Sequence, residues 1–187
     1  MGGTLVAPGD WALWTVSIDK REEPILFYDV RNSNQFGSIF SPDGKWIAYA
    51  SSEGTNAAVF GIYVQPFPPS GVKYEISRTG GAWPVWSPTG DELFYRLNVL
   101  INSGVPRFNA VRIATKPAPA FTSEQTLPIQ GFLMYQNYRD YDIFPNGREL
   151  VVLIPASQSR TSPEPARIKI RAVLNWVEEL KERVSVR

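Results

Sequence analysis

The chain has 187 residues, of which 43% are hydrophobic and 20% charged, with 19 Lys and Arg against 18 Asp and Glu. That is enough for one packed core without staples, and the near-zero charge balance excludes the basic footprint of a nucleic-acid binder. His and Cys are both absent, which excludes imidazole bases, Ser-His-Asp triads, thiol nucleophiles and metal sites built on either residue.

The start, Met1-Gly2-Gly3-Thr4-Leu5-Val6-Ala7-Pro8, has no basic region and too short an apolar run for a secretory signal. Val6 stands where a myristoylation signal wants Ser or Thr. No apolar stretch is long enough to span a membrane. The chain as given therefore reads as cytoplasmic, although the lack of Cys fits either side of a membrane. Many Pro (16) and Gly (14) beside 6 Trp, 8 Tyr and 10 Phe suit short strands joined by turns.

In chain order, Thr4–Ala7, Trp11–Ile18 and Ile25–Tyr28 read as the second, third and fourth strands of a repeat whose first strand lies before the chain begins. A repeated pattern then starts: an apolar-aromatic run, a Pro-x-Gly turn, a charged residue and another apolar run. Its first copy is Ile39-Phe40-Ser41-Pro42-Asp43-Gly44-Lys45-Trp46-Ile47-Ala48-Tyr49. The second is Val85-Trp86-Ser87-Pro88-Thr89-Gly90-Asp91-Glu92-Leu93-Phe94-Tyr95. The third is Asp142-Ile143-Phe144-Pro145-Asn146-Gly147-Arg148-Glu149-Leu150-Val151-Val152. Pro presets φ at the first central position, Asp, Thr or Asn tolerates the second, and Gly takes the positive-φ exit. Each copy is therefore a predicted hairpin.

Between copies, Phe60–Gln65 and Phe108–Ile113 read as third strands and Lys73–Ser77 as a fourth, with Pro66–Gly71 as a turn. The turn prolines are 46 and 57 residues apart. A four-stranded propeller blade repeats at roughly 40–50 residues, so the second interval holds about ten extra residues, expected within Asn98–Pro106 or Lys116–Pro128. Leu150–Ile154 and Arg167–Leu174 supply a further second and third strand around a Pro- and Ser-rich linker, Pro155–Pro165. A helix over 176–184 closes the chain. Asn175 caps it, Glu178 completes an N-x-x-E box, and Trp176, Val177, Leu180 and Val184 recur at helical spacing.

The segments Phe40-Ser41-Pro42-Asp43-Gly44-Lys45-Trp46-Ile47-Ala48-Tyr49, Ile62–Phe67 and Trp86-Ser87-Pro88-Thr89-Gly90 resemble the WD-like β-propeller repeats of the TolB type. Tyr63–Pro68 and Val173–Lys181 resemble the last blades of such propellers, which are often fused behind a bacterial serine/threonine protein kinase. The chain departs from the pattern at Thr89, Phe144 and Asn146, and the kinase motifs are absent. The resemblance implies an all-β partial propeller of about three and a half four-stranded blades, approximately 4–30, 36–78, 84–130 and 138–174, ending in the short helix.

Several residues invite a chemical reading. Asp43, Asp91, Asp142 and Asn146 lie near turns, where turn hydrogen bonding explains them better than a calcium loop. Asp140 and Asp142 alternate along a strand and share one face; this admits a paired-carboxylate hydrolase, but the repeat resemblance implies a structural role in the strand before the turn, which explains them better. Ser41, Ser87, Ser51 and Ser52 lack a Gly-x-Ser-x-Gly setting and any His partner. Trp11, Trp14, Trp46, Trp83, Trp86, Tyr135, Tyr138 and Tyr141 read first as core between blades; of the aromatic residues, Trp11, Trp14, Trp83, Tyr135, Tyr138 and Trp176 are the candidates for an interaction surface.

The expectation is a non-enzymatic module for protein or ligand interaction that needs no cofactor or metal, derived from the end of a larger propeller. Its repeat motif is Ser41, Pro42, Asp43, Gly44, Ser87, Pro88, Thr89, Gly90, Pro145, Asn146 and Gly147, and it is expected to bind a protein partner or to self-associate as a homodimer through its terminal blades; the alternative is that the C-terminal helix folds over an open face through Trp176, Leu180 and Val184. The alternatives are the gating propeller of a prolyl-oligopeptidase-like hydrolase and a carbohydrate-active propeller.

Overall fold

The computed structural model of the chain describes residues 11–19, 22–54, 59–77, 80–97, 107–114, 119–129, 131–133 and 138–155. The chain divides into two compact units, Met1–Pro155 and Ala156–Arg187, and every described residue lies in the first. The predicted strands Thr4–Ala7 and Arg167–Leu174, the helix over 176–184, Tyr135 and Trp176 fall outside the described residues.

Among the described residues every regular element is a β-strand, and all strand pairing is antiparallel. No helix there is long and apolar enough to cross a membrane. The first sheet pairs β1 (Leu13–Thr15) with β2 (Ile25–Tyr28). The second is a four-stranded meander of β3 (Gln35–Phe40), β4 (Trp46–Ser51), β5 (Gly61–Pro66) and β6 (Tyr74–Ser77). The third runs β7 (Ala82–Trp86), β8 (Glu92–Arg96) and β9 (Phe108–Ala114). Its fourth position is shared by β10 (Ala120–Phe121) and β11 (Gln125–Thr126), both paired to β9. The fourth sheet is β12 (Tyr141–Ile143) and β13 (Leu150–Val152). All three Pro-x-Gly segments are the predicted hairpin turns. The first-sheet strand is shorter than predicted: beyond Leu13–Thr15, Trp11 makes only an isolated bridge to Asn34, and Ile18 is exposed.

Of the two segments expected to hold the extra residues of the second interval, Asn98–Pro106 lies outside the described residues. The segment Lys116–Pro128 holds β10 and β11, the fourth strand itself. The added length lies in the connection to the next sheet, where fourteen residues (127–140) join β11 to β12 and only four (78–81) join β6 to β7. A long connection is retained when it buries apolar surface of its own. Here Phe132 is buried in the core between the third and fourth sheets, with Leu127 and Ile129 packed against it, and Leu133 N–H donates to the Leu153 carbonyl at 2.7 Å.

The sheets stack in chain order, and strand alternation decides which residues fill which interface. Counting from each turn proline, the fifth and seventh residues face the preceding sheet. These are Ile47 and Tyr49 in a core shared with Leu13 and Phe27, Leu93 and Tyr95 in the core against the second sheet, and Leu150 and Val152 in the core against the third. The sixth and eighth residues face the other way: Ala48 and Ala50 pack against Trp86, Leu93 and Val111 of the third sheet. The small alanines leave room for these larger neighbours, the complementarity that close packing demands.

The turns form a row of their own. In the first, Ser41 Oγ donates to Asp43 Oδ1 at 2.6 Å and accepts Trp46 N–H at 3.0 Å, while Asp43 Oδ1 also accepts Lys45 N–H. Thr89 replaces that carboxylate in the second turn, and Asp91 substitutes for it two residues on, accepting from Ser87 Oγ at 2.8 Å and from Thr89. In the third, Asn146 Oδ1 accepts Arg148 N–H at 2.9 Å. Successive turns touch. A Cβ on Gly90 would lie 3.4 Å from Pro42 Cδ, and one on Gly147 would lie 3.5 Å from Pro88 Cδ. Gly44 has φ +69° and open space around it, whereas Gly90 combines φ +76° with the proline contact. Replacing Gly44 by Val should therefore lower stability by about 1 kcal/mol through backbone strain alone, and Gly90→Val should cost more because the new side chain also meets Pro42. Urea melts of the two variants test this, and midpoints unchanged from wild type would remove the turn assignment.

Candidate functional site

The fifth residue before each turn proline defines a second column. Its members are Gly37, Trp83 and Asp140. Both complete first strands are irregular here: the β3–β4 register shifts between Phe36 and Ile39, and the β7–β8 register between Ala82 and Val85. A bulge re-aims the side chain it carries. Gly37 takes φ +65° and Trp83 takes φ +57°, a region that an aromatic residue enters only when its surroundings hold it there.

The surroundings of Trp83 supply that constraint. The Gly37 backbone passes beneath the indole, so close that a Cβ there would lie 3.1 Å from Trp83 Cε3. Phe36 packs against the ring at 5.0 Å between centroids, and the Arg96 guanidinium lies 6.0 Å from it on another side. The Trp83 carbonyl accepts the Tyr141 hydroxyl. Trp11 reaches the same surface from before β1, edge-on to Phe36 at 6.3 Å, and is 60% exposed. Trp11, Phe36 and Trp83 thus make an aromatic shelf.

A buried ion pair lies behind the shelf. Arg96 Nη1 donates to Asp140 Oδ1 at 3.1 Å, and both side chains are almost wholly buried. Burial pushes the Arg96 guanidinium below its ordinary range, and the Asp140 charge works against that shift. Arg96 is eight residues past its turn proline, the position held by Ala50 in the preceding sheet. One charge thus replaces a packing residue in the third sheet, and Asp140 answers it.

This arrangement settles where the predicted residues stand. Trp11 and Trp83 meet through Phe36. Trp86 and Tyr141 are core, as first read, and Trp46 is half-buried against that core. Trp14 lies apart, 56% exposed at a cleft of about 100 Å³ beside β1 and β3. Tyr138 is exposed. The carboxylate pair does not form: Asp140 is buried against Arg96, while Asp142 is exposed on β12. Ser41 and Ser87 are buried with their hydroxyls bonded within turns, and Ser51 and Ser52 are buried as well. Sequence reasoning missed Phe36 and Arg96. Counting back five residues from each proline would have aligned Gly37, Trp83 and Asp140, but neither Phe36 nor Arg96 carries a local signal.

Two other groups of polar residues lie apart from the shelf. A cleft of about 450 Å³ opens where the fourth strand of the third sheet breaks around Arg112, whose N–H is taken by Thr122 Oγ1 at 3.1 Å. Its charges are matched internally: Glu92 sits opposite Arg112 in register, and hydrogen bonds from Thr89 and Ser87 hold the Asp91 carboxyl below the usual range. The other group joins the first two sheets. Lys73 Nζ ion-pairs with Glu53 at 2.5 Å, donates to Tyr28 Oη at 2.8 Å and lies 4.8 Å from the Tyr63 ring centroid; Tyr28 donates to Glu53 at 2.6 Å. Burial alone would lower the Lys73 ammonium, but the bonds to Glu53 and Tyr28 outweigh it and raise its pKa.

Two outcomes follow from these pairs. Arg96→Met alone should cost about 3–5 kcal/mol by removing the cation that faces the buried Asp140, and adding Asp140→Leu should recover most of the loss; additive losses in urea melts would contradict the pairing. A raised folded-state pKa means that the Lys73 contribution is complete below the ordinary lysine value and is lost only as pH rises through the raised one. The stability difference between wild type and Lys73→Met should therefore stay constant from pH 7 to about 9 and shrink only above about 10.4; a difference that shrinks near neutrality would contradict it. No protein-family model matches this chain, and no curated protein matches it significantly.

Proposed function

We propose that this chain is a non-catalytic interaction module of β-propeller type, with the four sheets as successive blades and the aromatic shelf as its binding face. Three features support the propeller reading. The sheets follow one another face to face in chain order, the alternation of inward positions repeats from each proline, and the second and third turn glycines, Gly90 and Gly147, lie against the proline of the turn before. The TolB-type likeness of the turn motif is part of the same reading. Propellers host unrelated activities, so the function rests on the site and not on the fold.

The observation that carries the functional reading is Trp11, a large aromatic side chain left 60% exposed on a shelf whose other members are pinned by bulges and a buried ion pair. Rigid, partly wet aromatics anchor protein and peptide ligands at low entropic cost. Of the hydroxyls and carboxylates considered for catalysis, Ser41 and Ser87 are bonded within turns and Asp140 in the ion pair. Two measurements test the reading. Panels of extended peptides and of oligosaccharides are titrated while tryptophan emission is followed; binding that Trp11→Ala weakens at least tenfold supports it, and binding indifferent to Trp11 overturns the placement. Glycoside, ester and peptide substrates are assayed in parallel. Turnover that scales with protein and disappears in Asp142→Ala would replace the module with an enzyme.

A further inference from the structure

One hydroxyl in the middle of the stack is wholly buried and has no direct partner. Tyr49 and Tyr95 both stand seven residues after a turn proline, and both are 0% exposed. The Tyr49 hydroxyl accepts from Gln65 Nε2 at 2.5 Å. Gln65 stands opposite Ile47 in the pairing of β4 with β5. In the third sheet the residue in that register, opposite Leu93, is Val111, whose side chain has no hydrogen-bonding group. The Tyr95 hydroxyl makes no hydrogen bond to any described residue. A hydroxyl is buried at a cost in lost hydration unless something bonds to it, and buried polar groups in folded proteins are almost always bonded to protein or to ordered water.

The groups around this hydroxyl are polar, and their hydrogen bonds have a direction. Ser77, Asn109 and Glu124 all act on it. Ser77, at the end of β6, donates its hydroxyl proton to the Gly80 carbonyl at 3.1 Å and so has only lone pairs to offer. Glu124, in the break between β10 and β11, accepts from Asn109 Nδ2 at 2.9 Å, and a carboxylate has lone pairs for further donors. Asn109, opposite Tyr95 in register, is held on its other side by Thr126 Oγ1, which donates to Asn109 Oδ1 at 2.9 Å. Burial holds the Tyr95 hydroxyl well above the ordinary tyrosine range, so it keeps its proton and remains a donor. The backbone leaves room for the ring only at a glycine: a Cβ on Gly81 would lie 2.9 Å from Tyr95 Cδ2.

We propose that these groups form a binding site for one ordered water molecule, which accepts from the Tyr95 hydroxyl and donates to Ser77 Oγ and to the Glu124 carboxylate. The ligand follows from the directions of the bonds. A bridging group must take one proton, from Tyr95, and give two, to Ser77 and Glu124. Water does both. An ammonium ion has no lone pair with which to accept, and a metal cation has no proton to give and would meet the proton of Tyr95. Three hydrogen bonds are the usual complement of a buried water. Ser77 belongs to the second sheet, Tyr95 to the third, and Glu124 to the break in its fourth strand. The water therefore joins the two middle sheets and gives Glu124 an inward partner where β10 and β11 part. None of these groups belongs to the aromatic shelf.

A high-resolution crystal structure of the full chain tests the site directly. It is expected to show one density peak within hydrogen-bond distance of Tyr95 Oη, Ser77 Oγ and the Glu124 carboxylate. Urea melts give a second, independent reading. Tyr95→Phe removes only the hydroxyl and is expected to lower the midpoint, because it takes one bond from the water and leaves the space polar. Ser77→Ala is expected to lower it as well, and the double variant to lose less than the sum of the two, since both residues act through the same water. Three results overturn the proposal. The first is a crystal structure in which Tyr95 bonds directly to Ser77, Asn109 or Glu124 with no peak between them. The second is a peak ringed by five or more oxygens, which marks a cation. The third is a midpoint unchanged or raised in Tyr95→Phe, which marks a hydroxyl that nothing bonds.

Discussion

The structure depends on one constraint: each of the two middle sheets must bury both of its faces. A two- or four-stranded antiparallel sheet with apolar residues at odd and even positions cannot be stable alone in water. Ile47 and Tyr49 look one way from β4, and Ala48 and Ala50 look the other. Such a strand needs a neighbour on each side, and the chain supplies neighbours in sequence order. The three cores of the described residues follow from that two-sidedness.

Register across the stack is held at the turns. A shift of one residue would move every buried side chain to the wrong face. The hairpins resist this locally through Ser41 with Asp43, and through Ser87 with Asp91. Between sheets, the second and third turn glycines lie close to the proline of the preceding turn. The second turn shows that chemistry rather than position is what the turn requires: Thr89 cannot accept as a carboxylate does, and Asp91 takes over from two residues away.

The aromatic shelf follows a different logic. Its members sit where strands are irregular, and Trp83 adopts a backbone conformation that no isolated tryptophan would choose. Hydrogen bonding from Tyr141, packing from Phe36 and the nearby Arg96 define that conformation from outside the strand. A buried Arg–Asp pair is not an efficient source of stability, since an apolar pair of similar volume serves as well. Its contribution here is to specify how the third sheet meets the residues leading into the fourth.

Much was legible in the residues alone. The turns are written in Pro-x-Gly, which dictates φ at two positions regardless of context, and the strands beside them follow from alternation, so the hairpins and the four-strand meander could be read directly. The use of Asp43, Asp91 and Asn146 in turns followed from the same local chemistry. What the sequence could not display depended on residues distant along the chain. The sequence placed the extra length within Asn98–Pro106 or Lys116–Pro128, yet the connection 127–140 is ten residues longer than its counterpart 78–81, and its Phe132 lies in a core with Phe108 of β9 and Tyr141 of β12. Asp140 and Asp142 look like a pair because they alternate, but Arg96, more than forty residues earlier, claims one of them. Trp11 and Trp83 become neighbours only through Phe36. Backbone dihedrals and turn hydrogen bonds are set within a few residues and are therefore written in the sequence, whereas burial, ion pairing and aromatic contact are properties of space, decided only once the sheets had stacked.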